Sequence, residues 1–191
     1  IMKSTESRDM MHVVSVEGHG KYPNEQVFKK PYSTITIKDG VDDPEDELKW
    51  KFEYYVNECH EMDTFIGDLI EELEENGEPT VMLIYGDHIP ALDVTEDMYN
   101  GPDLYSTEYV IWDNIGLAKR DADTTSYQVG ATLMECAGLA HEGIIFDYQQ
   151  TNDEESDKSY MDDLEAISYD ILYGQCYAFG GMNPYEPTQM K

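Results

Sequence analysis

The feature that most limits the fold of this chain is an amphipathic segment that runs directly into an apolar one. Between Pro44 and Gly77, apolar side chains recur at alternating intervals of four and three residues, which predicts one long helix: Leu48, Phe52, Tyr55, Cys59, Met62, Ile66, Leu69 and Leu73. Residues 80–86 (TVMLIYG) then have the length and apolar character of a strand buried on both faces. A helix followed at once by such a strand indicates an α/β fold, with a mainly parallel sheet flanked by helices.

Four further segments predict elements on either side of this helix and strand. Residues 11–17 (MHVVSVE) predict a short strand. Residues 32–38 (YSTITIK) alternate β-branched and polar side chains, which predicts either a second strand or an extended loop. Residues 107–114 (TEYVIWDN) predict another strand, and residues 124–139 predict a helix that ends near Gly138.

The last part of the chain carries two segments of different character. Residues 149–163 (QQTNDEESDKSYMDD) are strongly acidic and polar, which indicates a solvated loop or insertion. Residues 166–181 (AISYDILYGQCYAFGG) regain aromatic side chains, and we expect a terminal hairpin or an edge strand there.

The charge balance excludes several classes of partner. The chain has 41 acidic and 12 basic residues, a formal net charge of -29. Nucleic acid is not expected as a partner, because binding it depends on neutralising phosphates with Lys and Arg. An anionic membrane surface is disfavoured for the same reason. An anionic substrate would need a local positive charge, which a bound metal ion supplies.

Cysteine usage and hydropathy say little about the compartment. The three cysteines, Cys59, Cys136 and Cys176, are an odd number without a CxxC motif, so a disulfide framework is not expected. No stretch approaches the roughly 20 apolar residues of a membrane-spanning helix, and no signal peptide opens the chain. We therefore expect the chain to be soluble, although it fits the soluble part of an anchored protein equally well.

Asp87 and His88 are the first candidates for chemistry, because they follow directly after the apolar strand and Gly86. Ligands of parallel α/β sheets gather at the carboxyl ends of the strands. A carboxylate oxygen with an imidazole nitrogen suits Mn²⁺, Zn²⁺ or Fe²⁺ better than Ca²⁺. An ordinary turn in which Asp caps a helix is the alternative, and the residues alone leave both open.

His19 is the second candidate, since it lies between Gly18 and Gly20 after an apolar segment. Neighbouring glycines leave its side chain uncrowded, so the imidazole can point into a cleft. A surface histidine in a loop is the alternative interpretation.

Five segments in a fixed order resemble a known family: SVEGHGKYP, the helix YYVNECHEMDTFIGDLIEELEENGEPT, VMLIYGDHIPAL, YSTEYVIWDNIGL and YDILYGQCYAFGG. In order and spacing they are similar to the carboxyl-terminal half of the sulfatase-like domain of lipoteichoic acid synthases. Those proteins are phosphoglycerol transferases of the alkaline phosphatase and arylsulfatase superfamily. The resemblance covers most of residues 10–181 and implies that residues 1–191 are the carboxyl-terminal portion of such a domain. The acidic stretch 149–163 has no counterpart in it.

The resemblance implies a role for each matching position. Asp87 and His88 match the pair that ligates the catalytic divalent metal, typically Mn²⁺. His19 matches the histidine that contacts the phosphate of an anionic phosphoglycerol or glycolipid-type substrate. Asp63 matches a recurrent aspartate that we interpret as structural, and Trp112 matches an aromatic position that we expect in the core.

One departure from the family concerns the nucleophile. In the family, a metal-binding glutamate and a threonine nucleophile lie far upstream of the position of His19, where this chain has 18 residues. Ser4, Thr5 and Glu6 fall there, but their surroundings do not resemble the nucleophile's. The resemblance therefore implies that the nucleophile is not in this chain and that a missing amino-terminal half is its partner. The parent would be membrane-anchored, with its catalytic domain on the extracellular face.

Two classes of function remain open at this point. The chain is either part of a metal-dependent phosphoglycerol transferase, or related phospho- or sulfo-ester hydrolase, or a non-catalytic acidic binding module that keeps the same shell. An acidic Ca²⁺-binding protein is a weaker third reading, because no DxDxDG loop is present.

A chain that holds part of a parallel sheet should expose strand edges and apolar surface meant for the missing half. We therefore predict that the isolated chain self-associates. Sedimentation velocity over a range of concentrations checks this, and a monomer at the highest concentration would contradict it.

Overall fold

The computed structural model describes residues 8–27, 35–37, 47–101, 104–152 and 159–181. The chain divides into two compact units. The first combines Ile1–Glu78 with His88–Thr107, and the second combines Pro79–Asp87 with Glu108–Lys191.

The long helix of the first unit is confirmed. Helix α1 covers Glu47–Asn76, close to the predicted bounds. It ends where Gly77 adopts a positive φ of 67° and its N–H donates a hydrogen bond to the carbonyl of Leu73. Glycine reaches this left-handed backbone conformation without strain, so the Asn-Gly sequence stops the helix.

The core of the first unit includes polar side chains. Leu73 and Leu92 are buried, and so are Glu53 and Asn57 on the inner face of α1. The Asn57 amide accepts a hydrogen bond from the N–H of Ile35 at 3.1 Å and donates one to its carbonyl at 2.9 Å. For residues 32–38 the sequence predicted either a strand or an extended loop. Residues 35–37 form an extended loop, and the others lie outside the described residues.

The predicted strand at 11–17 is wrong for the described structure. These residues are irregular and exposed, with Val13, Val14 and Val16 exposed to 73–79%. A strand is stable only when its backbone groups pair with a neighbour, and in the described part of the chain the segment has no neighbouring strand.

Two predicted strands of the second unit are confirmed, but their direction differs from the prediction. Strand β1 is Val81–Tyr85 and β2 is Tyr109–Asp113. They pair antiparallel, with Leu83 opposite Ile111 at the centre. The fold is mixed α/β, but the described residues form this two-stranded sheet and no parallel one. Residues 81–84 are half-buried rather than buried on both faces, as suits a small sheet that has the helix Val129–Cys136 as a neighbour.

Three helices follow in the second unit: α2 at Val129–Cys136, α3 at Ile144–Thr151 and α4 at Tyr160–Tyr173. Helix α2 starts later than predicted, because residues 126–128 form a turn. Single-turn 3₁₀ helices occur at Glu96–Met98 in the first unit and at Tyr177–Phe179 in the second.

Helices α3 and α4 correct two predictions. The acidic stretch 149–163 is helical at both ends, and residues 153–158 lie outside the described part. The hairpin or edge strand predicted at 166–181 is wrong: residues 166–173 belong to α4, and Tyr177–Phe179 form a 3₁₀ helix. Tyr160, Leu164, Ile167 and Ile171 are spaced by four, three and four residues, which is a helical period, and Tyr160 and Leu164 are buried.

None of the helices in the described ranges combines the length and the apolar character needed to cross a membrane.

The buried amide of Asn57 generates a stability prediction. Asn57→Ala leaves the N–H and the carbonyl of Ile35 without their partner, so the free energy of unfolding should fall by about 1–3 kcal/mol. Urea denaturation measures the change. The matched control is Asn100→Ala at an exposed position, which should change it by less than about 0.5 kcal/mol. Equal effects of the two variants would contradict the structural role of Asn57.

Candidate metal centre

His19 follows a tight turn in the first unit. The N–H of His19 donates to the carbonyl of Val16 at 3.1 Å, and Gly18 within the turn has a φ of 76°. Glycine adopts this conformation without strain, so the turn favours glycine at position 18. His19 is exposed, as its predicted role in contacting a substrate requires.

Tyrosine side chains hold this turn against α1. The hydroxyl of Tyr22 donates a hydrogen bond to the carbonyl of Gly18 at 2.7 Å. The Tyr22 ring packs edge-on against the rings of Tyr54 and Tyr55, with centroids 6.4 and 6.0 Å away. Burial raises the pKa of all three phenols above the usual tyrosine value, so they stay neutral at physiological pH. The position of His19 therefore depends on packing from the long helix.

The fold brings His19 close to His88, although the two are distant in sequence. Their ring centroids are 6.3 Å apart and the planes are inclined at 74°. Both residues belong to the first unit. Two of the three predicted site residues therefore lie side by side.

The segment after His88 is fixed to the first unit by its own contacts. Leu92 is 2% exposed, and the Asp93 carboxylate forms an ion pair with the Lys51 ammonium of α1 at 2.6 Å. The carboxylate raises the pKa of Lys51, so the lysine keeps its charge. Sequence reasoning missed this pair, because nothing in the spacing of Lys51 and Asp93 signals it.

The His88 ring contacts the backbone of the next residue. Its Nδ1 lies 2.9 Å from the carbonyl oxygen of Ile89. A carbonyl oxygen only accepts hydrogen bonds, so Nδ1 carries the proton and Nε2 of the neutral ring carries the lone pair. Metal-binding histidines commonly donate their second ring N–H to a carbonyl in this way.

Asp87 lies where β1 ends, as predicted. The N–H of Gly86 donates to the carbonyl of Glu108, which continues the pairing of β1 with β2, and Asp87 follows with an exposed side chain. The boundary between the two units passes between Asp87 and His88. Joint ligation of a metal by these two residues stays a prediction.

The described residues contain no group of three or more His, Cys, Asp or Glu side chains placed to hold a metal ion. The donor types of Asp87 and His88 nevertheless fit a divalent transition metal, and the orientation of the His88 ring agrees with that role. Two ligands are fewer than the three or more protein ligands that stable sites usually offer.

Acidic side chains near the turn add negative charge to this region. Hydrogen bonding to Glu58, together with burial and the repulsion of its charge, raises the pKa of Glu17 above the usual glutamate value. A raised carboxyl pKa means that the folded state disfavours the ionised form of Glu17. This is the electrostatic setting in which a bound cation would be stabilised.

Two other positions singled out by the sequence lie on α1 and β2. Asp63 is exposed on α1, and Trp112 is half-buried on β2 opposite Met82 rather than fully buried in the core as expected. The segment with Ser4, Thr5 and Glu6 lies outside the described residues.

A family model for Sulfatase matches residues 1–139, well over half of the 191 residues. The chain therefore belongs to the sulfatase family, which agrees with the superfamily that the motifs indicate. No curated protein and no solved structure matches the chain.

The contact between His88 and Ile89 predicts the tautomer of this histidine. At a pH where the ring is neutral, the proton should reside on Nδ1, because the Ile89 carbonyl accepts it there. Long-range ¹H–¹⁵N NMR spectra distinguish the two nitrogens, and exposed His60 on α1 serves as the reference. A neutral His88 ring that carries its proton on Nε2 would contradict the orientation described here.

Proposed function

We propose that this chain forms part of the catalytic domain of a metal-dependent phosphoglycerol transferase similar to lipoteichoic acid synthases, or of a related phospho- or sulfo-ester hydrolase. The parent protein would act on the extracellular face of a membrane. The observation that carries the proposal is the 6.3 Å approach of the His19 and His88 rings in a chain of the sulfatase family. Two positions with functional counterparts in that superfamily are thereby neighbours.

In this proposal, Asp87 and His88 hold the divalent cation, and their mixed oxygen and nitrogen donors favour Mn²⁺. When bound, the cation supplies the positive charge that acidifies a coordinated hydroxyl group and neutralises the oxygens of the ester. The contact of Nδ1 with the Ile89 carbonyl orients the His88 ring, and Nε2 is the nitrogen proposed to bind the cation.

His19 acts on the substrate. Its imidazole can donate a hydrogen bond to a phosphoryl oxygen or protonate the leaving alkoxide. The turn at Gly18 and the hydroxyl of Tyr22 hold the backbone beside it, so the ring is positioned before substrate arrives.

The net charge of -29 makes the cation important for binding as well as for chemistry. An anionic phosphoglycerol is repelled by the chain as a whole, and the neighbouring Glu17 and Glu58 add to that repulsion. A bound cation supplies the local attraction that the protein lacks.

We further propose that the chain alone binds the metal weakly and does not turn over substrate. With two protein ligands, the cation is held less firmly than in a site with three or more. None of the sequence motifs that match the family contains its threonine nucleophile, so the covalent step has no nucleophile here.

Calorimetric titration with Mn²⁺ tests the proposed ligands. Asp87→Ala should weaken binding by at least about tenfold, because it removes one of two protein ligands. Asp121→Ala is the matched control: it removes the same charge from an exposed position and should leave binding within about twofold. His88→Ala and exposed His60→Ala form a second matched pair.

Equal losses in Asp87→Ala and Asp121→Ala would mean that Mn²⁺ responds to overall charge, and the proposed site would be wrong. The wild-type chain is also titrated together with an upstream half of a related domain. If it still takes up no Mn²⁺, the non-catalytic acidic binding module is favoured instead. Ca²⁺ binding of similar strength in the Asp87→Ala variant would point to an acidic Ca²⁺ surface.

A further inference from the structure

A polar cavity lies within the second unit, formed by the segment around residues 120–124 and by helices α2 and α3. Its volume is about 410 Å³, within the range of about 300–1,000 Å³ typical of small-molecule sites. Its lining is rich in side chains that donate or accept hydrogen bonds. Nothing in the proposed metal chemistry uses it.

Most ionic side chains around the cavity are already paired within the protein. The Arg120 guanidinium contacts both carboxylate oxygens of Glu135 at 3.3 and 3.4 Å. Nδ1 of His141 lies 2.5 Å from an oxygen of Asp147 on α3. Both pairs are largely exposed to solvent, and a neutral ligand need not break either of them.

The backbone at His141 is fixed in an unusual conformation. Its φ is 66°, and its N–H donates to the amide oxygen of Gln150 at 2.9 Å. The side-chain nitrogen of Gln150 in turn donates to the carbonyl of Ala131 on α2. These bonds fix the backbone that carries the imidazole at the cavity. Nδ1 of the ring contacts Asp147, and Nε2 lies on the other side of the ring.

Gln149 supplies a buried polar group to the same cavity. It is 7% exposed, and its side-chain nitrogen donates to the carbonyl of Tyr127 at 2.7 Å. That bond fixes the amide and leaves its oxygen as an acceptor. The Thr124 hydroxyl lines the same cavity.

We propose that this cavity binds a neutral polyhydroxylated molecule of about monosaccharide size. Each ligand hydroxyl both donates and accepts, which matches a lining with donors at Arg120 and Thr124 and acceptors at Asp123 and Gln149. The Asp123 carboxylate can accept from two adjacent hydroxyls, and the ring of Tyr109 offers an apolar surface to the carbon skeleton.

An anionic ligand fits this lining poorly, because the carboxylates of Asp123 and Glu135 would repel it. A small organic cation is the main competitor, since the same carboxylates would attract it in a chain of net charge -29. The neutral ligand is favoured because the remaining groups include donors as well as acceptors. This inference is independent of the metal site, and failure of Mn²⁺ binding would leave it unaffected.

Titration of the ¹⁵N-labelled full chain with D-glucose tests the proposal by NMR. We expect saturable shifts of backbone amides in residues 120–124, α2 and α3, with a Kd in the range of about 1–10 mM that suits a small polar ligand. Tetramethylammonium and inorganic phosphate are titrated in parallel. No saturable shift with D-glucose, or tighter binding of either ion to the same amides, would overturn the proposal.

Two variants and one control localise the binding. Thr124→Val removes one hydroxyl of the lining with little change of shape, and the affinity should fall by about three- to tenfold, the loss typical of one hydrogen bond. His141→Asn removes the ring but tolerates the positive φ, because asparagine adopts that conformation readily, and should weaken binding at least as much.

Thr151→Val is the matched control. Its hydroxyl bonds to the carbonyl of Asp147 within α3 and does not line the cavity, so D-glucose affinity should stay within about twofold. If Thr124→Val fails to fold, His141→Asn carries the test. Equal affinities for D-glucose in the wild type and in a folded His141→Asn variant would overturn the assigned site.

Discussion

The contact on which the candidate centre depends is the packing of a short glycine turn against the long helix α1. Tyr22 joins the two, since its hydroxyl bonds to the carbonyl of Gly18 while its ring packs on Tyr54 and Tyr55. Burial raises the pKa of Tyr22 and Tyr55, so these phenols stay neutral and the packing of the turn on α1 does not depend on pH in the physiological range. A histidine on an otherwise irregular segment thereby gains a defined position.

Charge is the second constraint on this protein. In a chain of net charge -29, most acidic side chains of the described residues lie in solvent and contribute little individually to stability. Two of them, one buried and one exposed, nevertheless make specific contacts. Glu53 is buried and accepts hydrogen bonds from Gln26 and from the backbone of Ile37. Asp93 is paired with Lys51, and both contacts tie irregular segments to α1. The long helix thus organises the first unit through polar contacts as well as apolar ones.

The second unit is organised differently, around helices and a small antiparallel sheet. Tyr160 is its most buried large side chain and contacts the rings of Tyr127 and Tyr148. Two amides join the turn before α2 to the helices that follow. The Gln128 side chain donates to the Tyr160 hydroxyl, and the Gln149 side chain donates to the carbonyl of Tyr127. These amides and the ion pairs of Arg120 and His141 give the cavity a polar lining.

The sequence by itself determined α1, β1, β2 and the position of Asp87 at the end of a strand, because periodicity and strand length are local properties of the chain. It also carried the order of motifs that agrees with membership of the sulfatase family. The direction of strand pairing, the helix at Tyr160–Tyr173 and the irregular state of residues 11–17 were decided by tertiary structure, since each depends on which partner covers the segment. The same is true of the approach of His19 to His88 and of the pairing of His141 with Asp147. These contacts join residues whose spacing carries no signal, so only the packed chain brings them together.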